Sequence, residues 1–198
     1  LVGLAPVATM FLRIDGADLA AAFQARTLEL LGRTLALGLA SASLALVCGF
    51  AYGFLVSRTD VPAAPLLRAA GVVPLLLPPL ILAVSWSSMT QIRGGPATVL
   101  VMAISTFPLV AMFTARAFER IDARREEAAL LVGGLRAVLR VEFPLVLPSA
   151  LCAACFAFCF AVNDFTVPDY VSSIGPKFNV YADEVFAKIR AGRWRADP

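Results

Sequence analysis

The chain contains no histidine and few charged residues of either sign. Of its 198 residues only 16% are Asp, Glu, Lys or Arg and 60% are hydrophobic, with a mean hydropathy of +0.81. A soluble domain usually carries about a quarter charged residues, so this deficit indicates that lipid is the solvent. The net charge of +3 is too small to indicate a nucleic-acid partner.

Charge is absent altogether from four apolar runs, each about as long as the roughly 20 residues that cross a bilayer. The runs are Leu35–Val56, Ala69–Met89, Ala97–Ala115 and Phe143–Val162. They are too long and too free of turn residues to be core strands. They predict an all-α, polytopic transmembrane helical bundle with four full spans.

The same absences weigh against two classes of membrane protein. A proton- or sodium-driven transporter usually carries ionisable residues within its spans. A membrane-embedded enzyme needs a nucleophile–base pair or a metal cluster, and neither is visible here. The chain also lacks the GxxxxGK[ST] phosphate loop of an ATPase. A passive channel stays open at this point.

The cysteines lie inside apolar runs, where they do not indicate a disulfide framework. Cys152, Cys155 and Cys159 follow an i, i+3, i+7 spacing on one face of the last span. A soft-metal relay is conceivable, but packing is the preferred interpretation, and we predict no metal site.

The chain begins with Leu, and its first apolar stretch, Leu1–Leu12, is too short to span a bilayer. We therefore expect a single transmembrane domain, 1–198, that is truncated at both ends and includes part of a further N-terminal span. The polar region 163–198 follows the last span.

Arginines are concentrated in two of the loops, Ser57–Arg68 and Arg116–Glu142. Because cytoplasmic loops are enriched in Lys and Arg, these two loops are predicted to be cytoplasmic. Region 163–198 is then periplasmic. Its length makes its charges tolerable during translocation.

Small residues recur every three or four positions along the first span. They are Gly38, Ala42, Ala45, Gly49 and Gly53. Such a ridge allows two helix backbones to approach closely in lipid, which predicts a packing seam with another span or subunit. Chance recurrence in an alanine-rich helix is the alternative. In the second span, Pro74, Pro78 and Pro79 predict kinks.

The segment 116–142, called here the charged segment, interrupts the apolar runs with a helix-forming sequence. Asp122 is placed as an N-cap, and Glu126 and Glu127 follow early, where they suit the helix dipole. Gly133 and Gly134 are expected to end this helix before a second one leads into the last span. The segment is either a docking surface for a partner or a solvated linker.

The sequence "EEAALLVGG…RVEFPLVLPSAL" resembles the Glu-Ala-Ala loop of the integral membrane permeases of ATP-binding-cassette importers. Residues Glu127, Ala128, Ala129 and Gly133 match the first part of that pattern. Val141, Phe143 and Pro144 match the second, with Phe in place of the usual Leu, after a somewhat shortened connection. The similarity extends over most of Leu31–Ile189.

The resemblance implies a type I permease domain in the bacterial inner membrane. Its partners would be ATP-binding cassette ATPase subunits, a second permease domain and a periplasmic solute-binding protein. ATP would be used by the ATPase subunit, so this chain is expected to bind no cofactor and to catalyse no reaction. The charged segment would be the coupling helix that docks on the ATPase through residues 126–129 and the glycines 133 and 134.

The sequence "AVNDFTVPDY" is similar to a segment of iron(III)-type permeases. It makes iron(III) the first expectation for cargo, with polyamines, phosphonates, thiamine and oxyanions as alternatives. Asn163, Asp164 and Pro168 are candidate contacts at the outer end of the pathway. A solvated helix end with an Asx turn is the other interpretation of the same residues.

Overall fold

The structure is a computed structural model that describes residues 25–176 together with residues 180 and 181. The regular structure of these residues is α-helical, which confirms the predicted class. Within this described part of the chain six helices follow one another: α1 (Ala25–Arg58), α2 (Ala64–Leu76), α3 (Pro79–Met89), α4 (Gly95–Glu119), α5 (Ala123–Asn163) and α6 (Thr166–Ile174). The stretch Leu1–Leu12 and most of the region after Pro176 lie outside the described residues.

Three of the described helices are long and apolar enough to cross a membrane: α1, α4 and the stretch Arg124–Asn163 of α5. The remaining predicted span, Ala69–Met89, is divided between α2 and α3, which meet at an angle of 98°. The pair counts as a fourth span only if the bent helices cross together. The prediction of four full spans is therefore not confirmed.

The break between α2 and α3 follows from Pro78 and Pro79. Leu77 has φ −87° and ψ 132°, because a residue before proline is driven out of the helical region. Pro78 is also extended, and Pro79 begins α3 in the position where a missing N–H is least harmful. The expected kink is thus a complete break here, whereas Pro74 is accommodated within α2.

Helices α1 and α4 run parallel and pack through the small-residue ridge. A Cβ atom built on Gly49 would lie 2.6 Å from Val110 Cβ and 2.7 Å from the Phe107 carbonyl oxygen. One built on Gly53 would lie 2.8 Å from the Ala111 carbonyl oxygen. The two backbones are therefore as close as glycine allows at these points.

Helix α5 runs antiparallel to α1 and completes a three-helix core. Gly38 near the start of α1 faces Val162 and Phe158 near the end of α5. Between them lies a cluster of small buried side chains, including Ala42 and Ala45 of α1 and Ala153 of α5. The ridge thus lies inside this chain, against two of its own spans.

Candidate functional site

The two Arg-rich loops meet at one end of the helix bundle, where α1 and α4 end and α5 begins. We call this the Arg-rich end. Arg68 of α2 forms an ion pair with Glu119 of α4 at 2.9 Å and donates a hydrogen bond to the Val56 carbonyl oxygen at 3.0 Å. These contacts confirm that Ser57–Arg68 and the charged segment lie on the same side of the bundle.

The charged segment begins as predicted. Asp122 is the N-cap of α5, and its Oδ1 accepts a hydrogen bond from the Arg124 amide at 3.0 Å. The helix is interrupted at Gly133 (φ −154°, ψ 16°) and Gly134 (φ 63°, ψ −156°) and then resumes. The conformation of Gly134 is accessible almost only to glycine, so the predicted glycine break is confirmed.

The first part of α5, residues 123–132, presents an exposed face with both charge and apolar surface. Glu127 and Ala128 are exposed, and Leu131 and Val132 keep 89% and 90% of their surface accessible. Ala129 is half-buried on the other side. Two large apolar side chains next to a helix break are costly to leave in water, which favours a covered surface over a solvated linker.

Glu126 points away from that face and into a cluster of charges. Its Oε2 lies 2.9 Å from Nη1 of Arg58 at the end of α1, and Glu142 Oε1 lies 2.9 Å from Nη2 of the same guanidinium. Nη2 also donates to the Phe118 carbonyl oxygen at 3.2 Å. We call Arg58, Glu126 and Glu142 the Arg58 triad. Of the two predicted docking carboxylates, the structure leaves Glu127 exposed and engages Glu126 internally.

A cluster of aromatic rings adjoins the triad through Phe118. The centre of the Phe118 ring lies 6.0 Å from the guanidinium carbon of Arg58. The same ring packs edge-on against Phe50 and Phe54 of α1. Phe143, next to Glu142, packs on the same rings. An ion pair shielded from water in this way is stronger than an exposed one and costs more to break.

A cavity of about 480 Å³ lies at the break between α2 and α3. Its walls are Leu75, Leu77 and Pro79 from the break, polar Ser105 and Thr106 from α4, and residues 163–166 at the end of α5. The hydroxyls of Ser105 and Thr106 both donate to the Met102 carbonyl. The remaining walls are apolar, and a cavity with a few polar groups beside a broken helix is a feature of transport pathways.

Only two of the three residues predicted to lie at the outer end of the pathway line this cavity. Asn163 and Asp164 line it, and Pro168 is buried within α6 instead. Asp164 Oδ1 accepts from the amides of Thr166 at 2.6 Å and Val167 at 3.3 Å, the expected Asx turn. Asn163 Nδ2 donates to the Cys159 carbonyl, which leaves its amide oxygen as an acceptor.

A family model described as "Binding-protein-dependent transport system inner membrane component" matches residues 62–187, more than half of the chain. The chain belongs to this family. It is therefore a membrane protein and the permease component of an ATP-binding-cassette importer, a component that is not itself catalytic. The secondary transporter, the enzyme and the channel are accordingly set aside. A comparison with curated proteins finds no match.

The matched range of this permease contains the charged segment and the cavity, whereas α1 precedes it. Helix α1 nevertheless belongs to the same bundle, because its glycines pack on α4 and α5. Arg58 lies just before the matched range, and both of its carboxylate partners lie within it.

The cysteines of the permease face outward from the described bundle. Cys48, Cys152, Cys155 and Cys159 are all free and exposed. Packing within the described bundle therefore does not account for their spacing. The reason is that the inner face of α5 is taken by alanines such as Ala153 and Ala157, which permit closer helix contact.

Sequence reasoning missed the Arg58 triad in this permease. The local sequence places Arg58 in the loop Ser57–Arg68 and Glu142 at the end of the loop Arg116–Glu142, with no indication of a contact between them. A signal was present, because Glu142 directly precedes one apolar run and Arg58 follows another after a single serine. Leu131 and Val132 were missed as well, although two large apolar residues before a glycine pair in a polar segment indicate a contact surface.

Proposed function

We propose that the charged segment is the element through which this permease couples to ATP hydrolysis in a separate ATPase subunit. The capped helix that stops at Gly133 and Gly134 and exposes Glu127 and Ala128 carries this proposal. A docking element must be short and self-terminating, and it must present a surface that a partner can cover. The first part of α5 meets these requirements, and its match to the Glu-Ala-Ala pattern supports the same role.

The proposed assembly is a multi-pass permease in a bacterial inner membrane, with a second permease domain, two ATPase subunits and an external solute-binding protein. The surface of the bundle supports contact with lipid and a second permease. Large apolar side chains are exposed along α1 and α5, among them Leu39, Val47, Phe156 and Phe160.

The test is site-directed crosslinking from a cysteine at Ala128 in a chain without its four native cysteines, co-expressed with the ATPase subunits. We expect a crosslink to the ATPase whose yield changes with ATP, because the docking surfaces should move with nucleotide state. A cysteine at Asp60, exposed in the other Arg-rich loop, is the matched control. If position 128 is labelled by an aqueous thiol reagent but gives no crosslink, the docking role is wrong.

For cargo, we propose iron(III), taken up through the cavity at the α2–α3 break. The resemblance of Asn163–Pro168 to iron(III)-type permeases supports this choice. The cavity also offers acceptors, namely the free carboxylate oxygen of Asp164 and the amide oxygen of Asn163, and such hard oxygen atoms favour a cation. Polyamines and thiamine share that positive charge, whereas phosphonates and oxyanions do not fit these acceptors.

Asp164→Asn should lower iron(III) uptake by about tenfold or more, because a hydrogen bond or contact to a charged group contributes about 1.5–3 kcal/mol. Asparagine keeps the oxygen that accepts from Thr166 and Val167, so the start of α6 should be preserved. The measurement is uptake of radioactive iron(III) in cells that express the complete importer.

Asp169→Asn is the control, since Asp169 is an exposed carboxylate in the first turn of the same helix α6. It should transport at the rate of the unmodified permease. Equal uptake by the two variants would show that Asp164 does not contact the cargo. A loss confined to spermidine or thiamine would replace iron with that cation.

A further inference from the structure

The glycine break creates a mechanical problem for a helix that transmits force. Gly133 and Gly134 interrupt the helical backbone between the first part of α5 and its membrane part. Regular i to i+4 hydrogen bonds make a helix stiff, and glycine restricts its neighbouring peptide planes less than any other residue. Some contact outside the backbone has to fix the angle between the two parts of α5.

The Arg58 triad supplies such a contact. Glu126 lies before the break and Glu142 after it, and one guanidinium holds both, each at 2.9 Å. Arg58 is the last residue of α1, and its Nη2 also donates a hydrogen bond to the Phe118 carbonyl oxygen near the end of α4. A planar, fixed fork of donors can hold several acceptors at defined angles, so a single side chain connects four helical segments.

We propose that Arg58 is a positioning residue that bridges the glycine break, so that the docking helix and the spans α1, α4 and α5 move as one body. This inference rests on the proposed coupling function. When the ATPase subunits move the first part of α5, the bridge transmits the movement to the membrane part. Without it, the first part could tilt about Gly133 and Gly134 while the spans stayed in place.

Burial makes the bridge persistent. The Arg58 side chain is 18% exposed and that of Glu142 only 3%, whereas Glu126, at the edge of the cluster, keeps 33% of its side chain exposed. The Nε atom of Arg58 is buried and makes no hydrogen bond within the described residues, so the guanidinium is held by its two terminal nitrogens. With the surrounding phenylalanines, exchange of these bonds for water is restricted.

Lysine cannot reproduce this arrangement, because its ammonium is a compact charge without a planar fork. We expect Arg58→Lys to hold one carboxylate firmly and the other loosely, and Arg58→Gln to hold neither by charge. Glu126→Ala should remove only the bond before the break and leave the Arg58–Glu142 pair intact. Arg140→Gln is the matched control, since Arg140 is an exposed arginine between the break and Glu142.

The experiment measures the distance between spin labels on cysteines at Ala128 and at Val47, in the complete importer with a chain free of its native cysteines. Both sites are exposed, one on the docking helix and one on α1. We expect one narrow distribution in the unmodified chain and in Arg140→Gln. It should be at least twice as wide in Arg58→Gln and Glu126→Ala, and intermediate in Arg58→Lys.

The second readout is iron(III) uptake per ATP hydrolysed, which should fall about tenfold in Arg58→Gln with ATP hydrolysis retained. Distances as narrow in Glu126→Ala as in the unmodified chain would overturn the proposal, even if Arg58→Gln failed to assemble. A failure of the docking proposal can be distinguished from a failure of the bridge proposal. If docking is wrong, the crosslink from position 128 is absent, whereas the widths of the distance distributions still report whether Arg58 holds the two parts of α5 together.

Discussion

Replacing Glu127 by arginine is expected to abolish uptake while the permease still inserts into the membrane. Glu127 is exposed at the Arg-rich end, on the face that we assign to the ATPase. Loss of a charge pair in a buried interface costs about 2–5 kcal/mol, so ATPase binding should weaken by at least about 30-fold. The measurements are ATP-dependent uptake and co-purification of the ATPase with the permease.

Asp60→Arg provides the comparison for Glu127→Arg. It makes the same change of charge at another exposed position of the Arg-rich end, in the loop before α2. This variant should transport and retain its ATPase normally. Normal uptake in Glu127→Arg would contradict the docking role, and an equal loss in both variants would point to membrane insertion instead of docking.

The second large effect is expected from Gly49→Leu combined with Gly53→Leu, which should prevent assembly of the bundle. Overpacking a core costs about 1–3 kcal/mol when side chains can adjust. Here the new Cβ atoms would meet backbone atoms, the carbonyl oxygens of Phe107 and Ala111 at 2.7 and 2.8 Å. Because backbone in a helix cannot move aside by itself, α1 and α4 would have to separate.

Native gel electrophoresis of the solubilised importer measures this outcome. Gly32→Leu serves as the control, because Gly32 is on the same helix and nothing lies within 4 Å of a Cβ atom placed there. It should leave the complex intact. An unchanged complex in the double variant would show that the contact between α1 and α4 is looser than described.

The features that the sequence predicted well are those determined by neighbouring residues. Asp122 caps α5 because its carboxylate reaches an amide two residues away, and Gly134 breaks the helix because its backbone conformation excludes a Cβ atom. The family followed from the short Glu-Ala-Ala pattern and is confirmed by the family match. Each of these signals is contained in a few consecutive letters.

The features that were missed depend on distant parts of the chain. Arg58 is separated by 68 residues from Glu126 and by 84 from Glu142, and nothing in their local sequence specifies the pairing. The outward direction of Cys152 and Cys155 depends on which face of α5 meets α1, and alanines occupy that face. Hydropathy alone predicts Ala69–Met89 as one span, because a hydropathy profile contains no information on the angle between α2 and α3 that Pro78 and Pro79 impose.

The break between α2 and α3 also determines which backbone groups of this permease need a polar surrounding inside the membrane. Pro78 and Pro79 have no N–H, so the carbonyls of Pro74 and Leu75 cannot form their usual helical hydrogen bonds. Helix α2 has 13 residues, and the rise of about 1.5 Å per residue places those carbonyls roughly 16 Å from its start and thus at hydrocarbon depth. Unsatisfied carbonyls are not tolerated in lipid, so the break must face protein or water, and the cavity that Leu75 shares with Asp164 provides such a place inside the bilayer.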